Sequence, residues 1–176
     1  MLDKNRYDRQ IKLRGFGIEA QQKLLSAHVL VIGAGGLGCP VLQYLAASGI
    51  GSIGIVDDDI VSISNLQRQV LYTTEDIGKL KTEVASERLS LMNPDISVNL
   101  VSERMTTQNA VEIISSYDVV LDCSDNFPTR YLIDDVCRLL QKPLIFGAIY
   151  QYEGQVAVFN IPNHEGIITH YRNLFP

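Results

Sequence analysis

The chain has 176 residues, 46% of them hydrophobic and 20% charged, with a formal net charge of −5. That length suits one compact domain with an ordinary core, and the acidic balance without a basic tract argues against non-specific nucleic-acid binding. No apolar run is long enough to span a membrane and no signal peptide opens the chain, so a cytoplasmic protein is expected. Cys39, Cys123 and Cys137 show no paired spacing and read as reduced packing residues.

Residues 1–26 read as a polar helical arm that Gly15 and Gly17 break into two short helices, the second from Glu19 to Leu25. Taken alone, such an arm is a solvated cap on the sheet edge. His28 to Ile32 is a buried strand. It runs into Gly33-Ala34-Gly35-Gly36-Leu37-Gly38 and a helix with Leu37, Val41, Leu42, Leu45 and Ala46 on one side. Pro40 falls in the first turn of that helix and Gly49 ends it. Ser52 to Val56 is the second strand, with Asp57 at its tip.

A polar, irregular stretch follows from Asp57 to Gly78, and loops of that length are more often functional than accidental. A helix is expected over Lys79 to Met92, with Leu80, Val84, Leu89 and Met92 inward. Lys79 and Lys81 in its first turn oppose the helix dipole, a placement best explained by a phosphate. Ile96, Val98 and Leu100 alternate as a half-buried strand, and Gln108 to Ser115 is a short helix. Asp118 to Asp122 is an apolar core strand, and Pro128 opens a helix with Leu132, Ile133, Val136, Leu139 and Leu140 inward. Pro143 to Gly147 and Gln155 to Asn160 are strands with antiparallel spacing. After Pro162 the pattern fades.

The sum is an α/β, Rossmann-like, doubly wound sheet, parallel strands followed by antiparallel ones, with an N-terminal helical arm. Residues 1–176 form a single nucleotide-binding domain: an arm over 1–26, a core over 27–160, and the start of a truncated C-terminal segment over 161–176. Ligands of such sheets bind outside the carboxyl ends of the strands. The glycine turn, with Gly33, Gly35, Gly36 and Gly38, offers phosphate-facing N–H groups, and Asp57 offers a ribose acceptor. Asn65, Arg68, Lys81, Asp125 and Asn126 should meet at the same edge. Two or more cations and a carboxylate able to hold Mg²⁺ suit ATP and nucleotidyl transfer. Each residue also has a plainer use. Arg68 suits a surface ion pair, Asp125 a helix cap, Asp58 and Asp59 solvated turn positions. His28, His164 and His170 show no ligand spacing.

Six segments stand in an order that resembles a known family. They are Tyr7-Asp8-Arg9-Gln10, the glycine turn, Asp57-Asp58-Asp59, Ser64-Asn65-Leu66-Gln67-Arg68-Gln69, Gly78-Lys79-Leu80-Lys81 and Asp122-Cys123-Ser124-Asp125-Asn126. Together they look like the signature of the MoeB/ThiF family, the bacterial relatives of ubiquitin-activating enzymes. Leu13-Arg14-Gly15-Phe16 and Asn65-Leu66-Gln67-Arg68-Gln69 are closest to its molybdopterin-synthase adenylyltransferase branch. The resemblance implies ATP- and Mg²⁺-dependent adenylation of the C-terminal glycine of a ubiquitin-like sulfur carrier ending in Gly-Gly, in molybdopterin or thiamine biosynthesis. It implies that Gly36 lines the nucleotide and Asp57 takes the ribose. Asn65, Arg68 and Lys81, within the motif that also holds Ser64, Leu66 and Gln67, hold the phosphates, and Asp59 and Asn126 belong to the same nucleotide site. Asp125 binds Mg²⁺. Arg9 matches an arginine that reaches the phosphates from the partner subunit of a homodimer.

Departures from the family pattern limit the carry-over. The family's CxxC for structural zinc is replaced by His170-Tyr171-Arg172-Asn173, so zinc is not expected. The later strands and crossover segment are missing. Three other readings compete: a non-catalytic ATP-binding or scaffold member of the family, adenylation of a carboxylate on a modified tRNA base, and an NAD-dependent oxidoreductase. The last shares the glycine turn and Asp57 but leaves Arg9, Arg68, Lys81 and Asp125 without a use.

Overall fold

Two short aliphatic strands start the sheet, β1 (His28–Ile32) and β2 (Ser52–Val56), paired in parallel and buried along almost their whole length. This is a computed structural model that describes residues 4–176, so the first residues of the predicted arm lie outside it. β3 (Ser97–Val101) pairs with β2, β4 (Val119–Asp122) with β1, and β5 (Leu144–Tyr150) with β4, all parallel. β6 (Glu153–Phe159) turns back antiparallel on β5. The order β3-β2-β1-β4-β5-β6 is the doubly wound sheet expected from the alternating pattern.

Helices cover both faces. α3 (Gly38–Ser48) and α4 (Lys81–Met92) pack Leu42, Ala46, Val84 and Leu89 against Val29, Val31, Ile53 and Ile55. α5 (Ala110–Ser115) and α6 (Phe127–Leu139) pack Ile114, Ile133 and Val136 against Leu30, Val120, Leu144 and Phe146. Gly49 ends α3 in a left-handed cap at φ 84°, as predicted. Among the described residues no helix is long and apolar enough to cross a membrane.

The arm is more than a solvated cap. α1 (Asp8–Ile11) and α2 (Gly17–Ser26) dock at the C-terminal end of α3. Tyr7 is buried and accepts a 2.8 Å bond from Asn93 Nδ2. Gln10 and Gln21 both donate to the Ser48 carbonyl, at 3.1 and 3.0 Å. Gly17 begins α2 instead of breaking the chain before it.

Other expectations need correction. α4 starts at Lys81, not Lys79, because Leu80 bridges Ile60 and the Lys79 N–H turns back to the Asp76 carbonyl. Met92 and Leu139 face solvent, since each lies at the last residue of its helix, beyond the sheet. The chain beyond Pro162 is not patternless. Pro162 bridges Ile168, and α7 (Tyr171–Leu174) delivers Tyr171 into the core among Phe146, Phe159, Tyr131 and Phe175. One buried ring carries that packing, and a single ring leaves no periodicity to read.

Candidate functional site

The site forms where β1, β2 and β4 end. Gly33 leaves β1 at φ 96°, its N–H bonded to the Val56 carbonyl, and the chain doubles back into α3. A Cβ at Gly38 would collide with the Gly33 carbonyl oxygen, so the turn closes only with glycine there. Ala34, inside the turn, is held from two sides. Its N–H donates to Asp57 Oδ2 at 2.7 Å, and its carbonyl accepts from the Tyr72 hydroxyl at 2.8 Å. Burial first, then the neighbouring Cys39 and Asp57, pushes the Tyr72 phenol far above its ordinary value, so it stays an O–H donor.

The turn floors a cavity of about 680 Å³. Of the sequence-predicted residues it gathers Gly33, Gly35, Gly36, Asp57, Asp59, Asn65, Arg68, Lys81, Asp125 and Asn126. Gly38 lies behind the turn at the start of α3. Ser64, Leu66 and Gln67 do not line the cavity. The Ser64 carbonyl accepts from Arg68 Nη1 at 3.3 Å, Leu66 packs against the apolar core, and Gln67 faces solvent. Arg9 is exposed on α1, at the far end of α3 from the glycine turn. The eleven residues of α3 put that end about 16 Å away.

Asp57 spends both oxygens on backbone, the second accepting from the Asp59 N–H at 2.9 Å. Burial raises its carboxyl above the usual value, against the pull of those two N–H groups and of Lys81. Lys81 is buried, 3% exposed, and its Nζ lies 2.8 Å from Asp59 Oδ2. The sequence aimed this lysine at a phosphate; here it is already neutralised by a carboxylate on the cavity wall. Arg68 lays Cγ and Cδ over Gly36, where an added methyl would meet them at 3.4 Å.

On the opposite wall, Asp122 is buried and accepts from the N–H and hydroxyl of Ser124 at 2.9 and 2.6 Å. Asn126, not Asp125, caps α6, its side chain accepting from the Thr129 N–H at 3.0 Å. That leaves Asp125 exposed, with only a 3.5 Å contact from Asn126 Nδ2. Asp57, Asp58 and Asp59 bring oxygens within 4.8 Å of one another. With Asp57 and Asp59 engaged as described, Asp58 and Asp125 are exposed carboxylates left at the cavity, and Asp125 fits Mg²⁺ held jointly with phosphates. The cysteines are inert fillers: burial holds the Cys123 and Cys137 thiols up at about 12.

The sequence reading did not assign Gln69, Arg130 or Ile149 to the site, yet all three line the cavity. Gln69 stood inside a quoted motif without a role. Arg130, stacked at 5.3 Å on Phe146 and bonded to the Ser124 carbonyl at 2.9 Å, is one turn beyond Asn126 on α6. That i,i+4 spacing was the available signal.

The description of the ThiF family matches residues 7–176. The chain is 56% identical over 173 residues to the sulfur carrier protein adenylyltransferase of Thermus thermophilus, covering 98% of this chain and 64% of that protein. It is 49% identical over 172 residues to the SAMP-activating enzyme E1 of Haloferax volcanii, covering 98% of this chain and 62% of that one. It thus spans less than two thirds of the length of these curated relatives. Among solved structures, it resembles E. coli TcdA, a tRNA N6-threonylcarbamoyladenosine dehydratase, in complex with ATP. That match has a TM-score of 0.78 and 31% identity, over 82% of this chain and 60% of TcdA. E. coli MccB with ATP matches with a TM-score of 0.75 and 32% identity, over 83% and 45% of the two chains. An agreement that runs through nearly every described element leaves the assignment plain: the chain belongs to the ThiF family.

Proposed function

We propose that this chain adenylates the C-terminal glycine carboxylate of a ubiquitin-like sulfur carrier, using ATP and Mg²⁺ and releasing pyrophosphate. The observation that carries the reading is the placement of Arg68 over Gly36, with buried Lys81 and, from the loop after β4, Asp125 lining the same cavity. Charge is concentrated where a phosphate chain at a helix N-terminus would lie. The names of the Thermus and Haloferax relatives support the carrier as substrate, and the ATP in the MccB and TcdA structures supports the nucleotide.

A carboxylate oxygen attacks the α-phosphorus, forming the acyl–phosphate bond as the bond to the bridging oxygen of pyrophosphate breaks. The nucleophile is ionised at pH 7, so no general base is required. Arg68 and Lys81 neutralise charge on the phosphates and on the leaving group. Asp125 holds Mg²⁺, which when bound supplies further neutralisation of the phosphate oxygens. Arg9 stands too far from its own glycine turn to help there, which supports its service to the site of a second copy in a homodimer. The Asp57 carboxylate keeps a free lone pair on each oxygen for the ribose hydroxyls.

Carrier-dependent ATP–pyrophosphate exchange tests the reading. Arg68→Ala and Asp125→Ala should each abolish exchange while the melting temperature holds. Full exchange in either variant overturns the role given to that residue. Exchange that responds to tRNA and not to any Gly-Gly carrier overturns the substrate.

A further inference from the structure

Gln69 is a buried polar side chain at the cavity whose oxygen nothing in the protein answers. It is 3% exposed, it lines the cavity, and its Oε1 has no hydrogen-bond partner. Its backbone is spent on local structure: the N–H donates to the Asn65 carbonyl at 3.0 Å and the carbonyl accepts from the Tyr72 N–H at 3.1 Å. The loop's hydrogen bonds at this residue come from its backbone, not from its side chain. Its amide nitrogen points at the glycine turn, where a methyl added to Gly35 would stand 3.6 Å from Nε2.

A buried carboxamide whose oxygen is unanswered destabilises the chain that carries it. A methionine has nearly the same length and volume and would fill the space without that cost. A phosphate cannot answer that oxygen, which is itself an acceptor; what the amide offers a loaded site is its Nε2 donor. The groups that come to this turn in a loaded site are phosphate oxygens, which accept hydrogen bonds and donate none. The end of Gln69 that lies against the turn is its donor end.

We propose that Gln69 is a phosphate-binding residue of the nucleotide site, donating from Nε2 to a nucleotide phosphate lodged at Gly35 and Gly36. This rests on the ATP-dependent reading above and adds to it a neutral donor beside Arg68 and Lys81. Such a donor orients a phosphate without adding charge, so its contribution survives high salt better than that of the exposed Arg68. It also distinguishes the two ends of the ligand. The contact is to phosphate, and the nucleoside is indifferent to it.

The test compares wild type with Gln69→Met by calorimetric titration with ATP and with adenosine, and by melting without ligand. ATP affinity should fall about tenfold or more, as for loss of one hydrogen bond to a charged group, while adenosine affinity is unchanged. The melting temperature of the ligand-free variant should hold or rise, because the unanswered amide oxygen has gone. A purely structural Gln69 predicts the reverse, a lower melting temperature with ATP affinity intact. That result overturns the inference, as does an equal loss for ATP and adenosine. Wild type that binds no ATP removes the nucleotide reading itself, and the inference with it. Wild type and variant that bind ATP equally well remove only the role of Gln69.

Discussion

Lys81 and Asp59 form an ion pair whose two ends lie in different surroundings: the Lys81 side chain is 4% exposed, that of Asp59 70%, with 2.8 Å between the charges. The pair is therefore asymmetric. Removing the lysine frees a carboxylate that water can solvate. Removing the carboxylate strands a buried ammonium. Asp59→Ala should lower stability by about 2 kcal/mol, and Lys81→Met by far less. Urea denaturation of the two variants checks the order. Lys81→Met should nonetheless lose pyrophosphate exchange, while Asp59→Ala retains some.

Asp76 is the ionic centre of the loop between β2 and α4. Burial pushes its carboxyl up, but the N–H and hydroxyl of Thr73, then Arg88 and Lys79, outweigh it and hold the group at about 2, below the usual 3.8. A depressed folded value means the ionised form is bound more tightly in the fold. The stability it contributes is complete above the unfolded value and is lost as pH falls from about 4 through about 2. Asp76→Asn should remove this part of the acid sensitivity, and urea midpoints of wild type and variant across that range should converge at the acid end.

Two glycines of one turn should fail differently. Gly38→Ala forces a Cβ into the Gly33 carbonyl oxygen, a rigid backbone atom, and should cost about 3 kcal/mol or prevent folding. Gly36→Ala meets only the flexible Arg68 side chain, at 3.4 Å, so the chain should fold with a near-normal melting temperature. On the ATP reading its methyl takes space from the phosphates, and ATP affinity should fall at least about tenfold. Melting curves and ATP titrations on the pair separate the two effects.

The proposed service of Arg9 to a second copy predicts complementation. Arg9→Ala and Arg68→Ala chains, each inactive alone, should recover about a quarter of wild-type exchange when refolded together in equal amounts. Half of such dimers are mixed, and each mixed dimer has one intact site. No recovery in a sample shown to exchange subunits would place Arg9 outside the site.

The glycine turn, Asp57, Arg68, Lys81 and Asp125 were legible because each belongs to a local pattern: a strand run, a turn that tolerates only small residues, a cation at a helix start. The sheet order followed from alternation of the same kind. What was hidden depends on distance through space. Asn126 took the cap that Asp125 offered equally well on paper. Lys81 found a counter-ion 22 residues upstream. Gln69, and not Gln67, turned inward, because the short 3-10 turn at Ile63–Asn65 sets which side of the following residues meets the glycine turn. Tyr171 entered the core from a stretch with no periodicity at all.

The stretch from Asp57 to Lys79 is a loop by secondary structure, yet Val61, Leu71, Tyr72 and Asp76 are all buried. Tyr72 is bonded to the glycine turn, and Ile60 is bridged to Leu80. Surface loops ordinarily accept inserted or deleted residues with little loss. This one has no slack to accept them. One added residue would rotate Gln69 or Tyr72 off the turn, so the segment should prove as fixed in length as a helix, and peptide-tag insertion should succeed at the hairpin tip, where Tyr152 is fully exposed, and fail here.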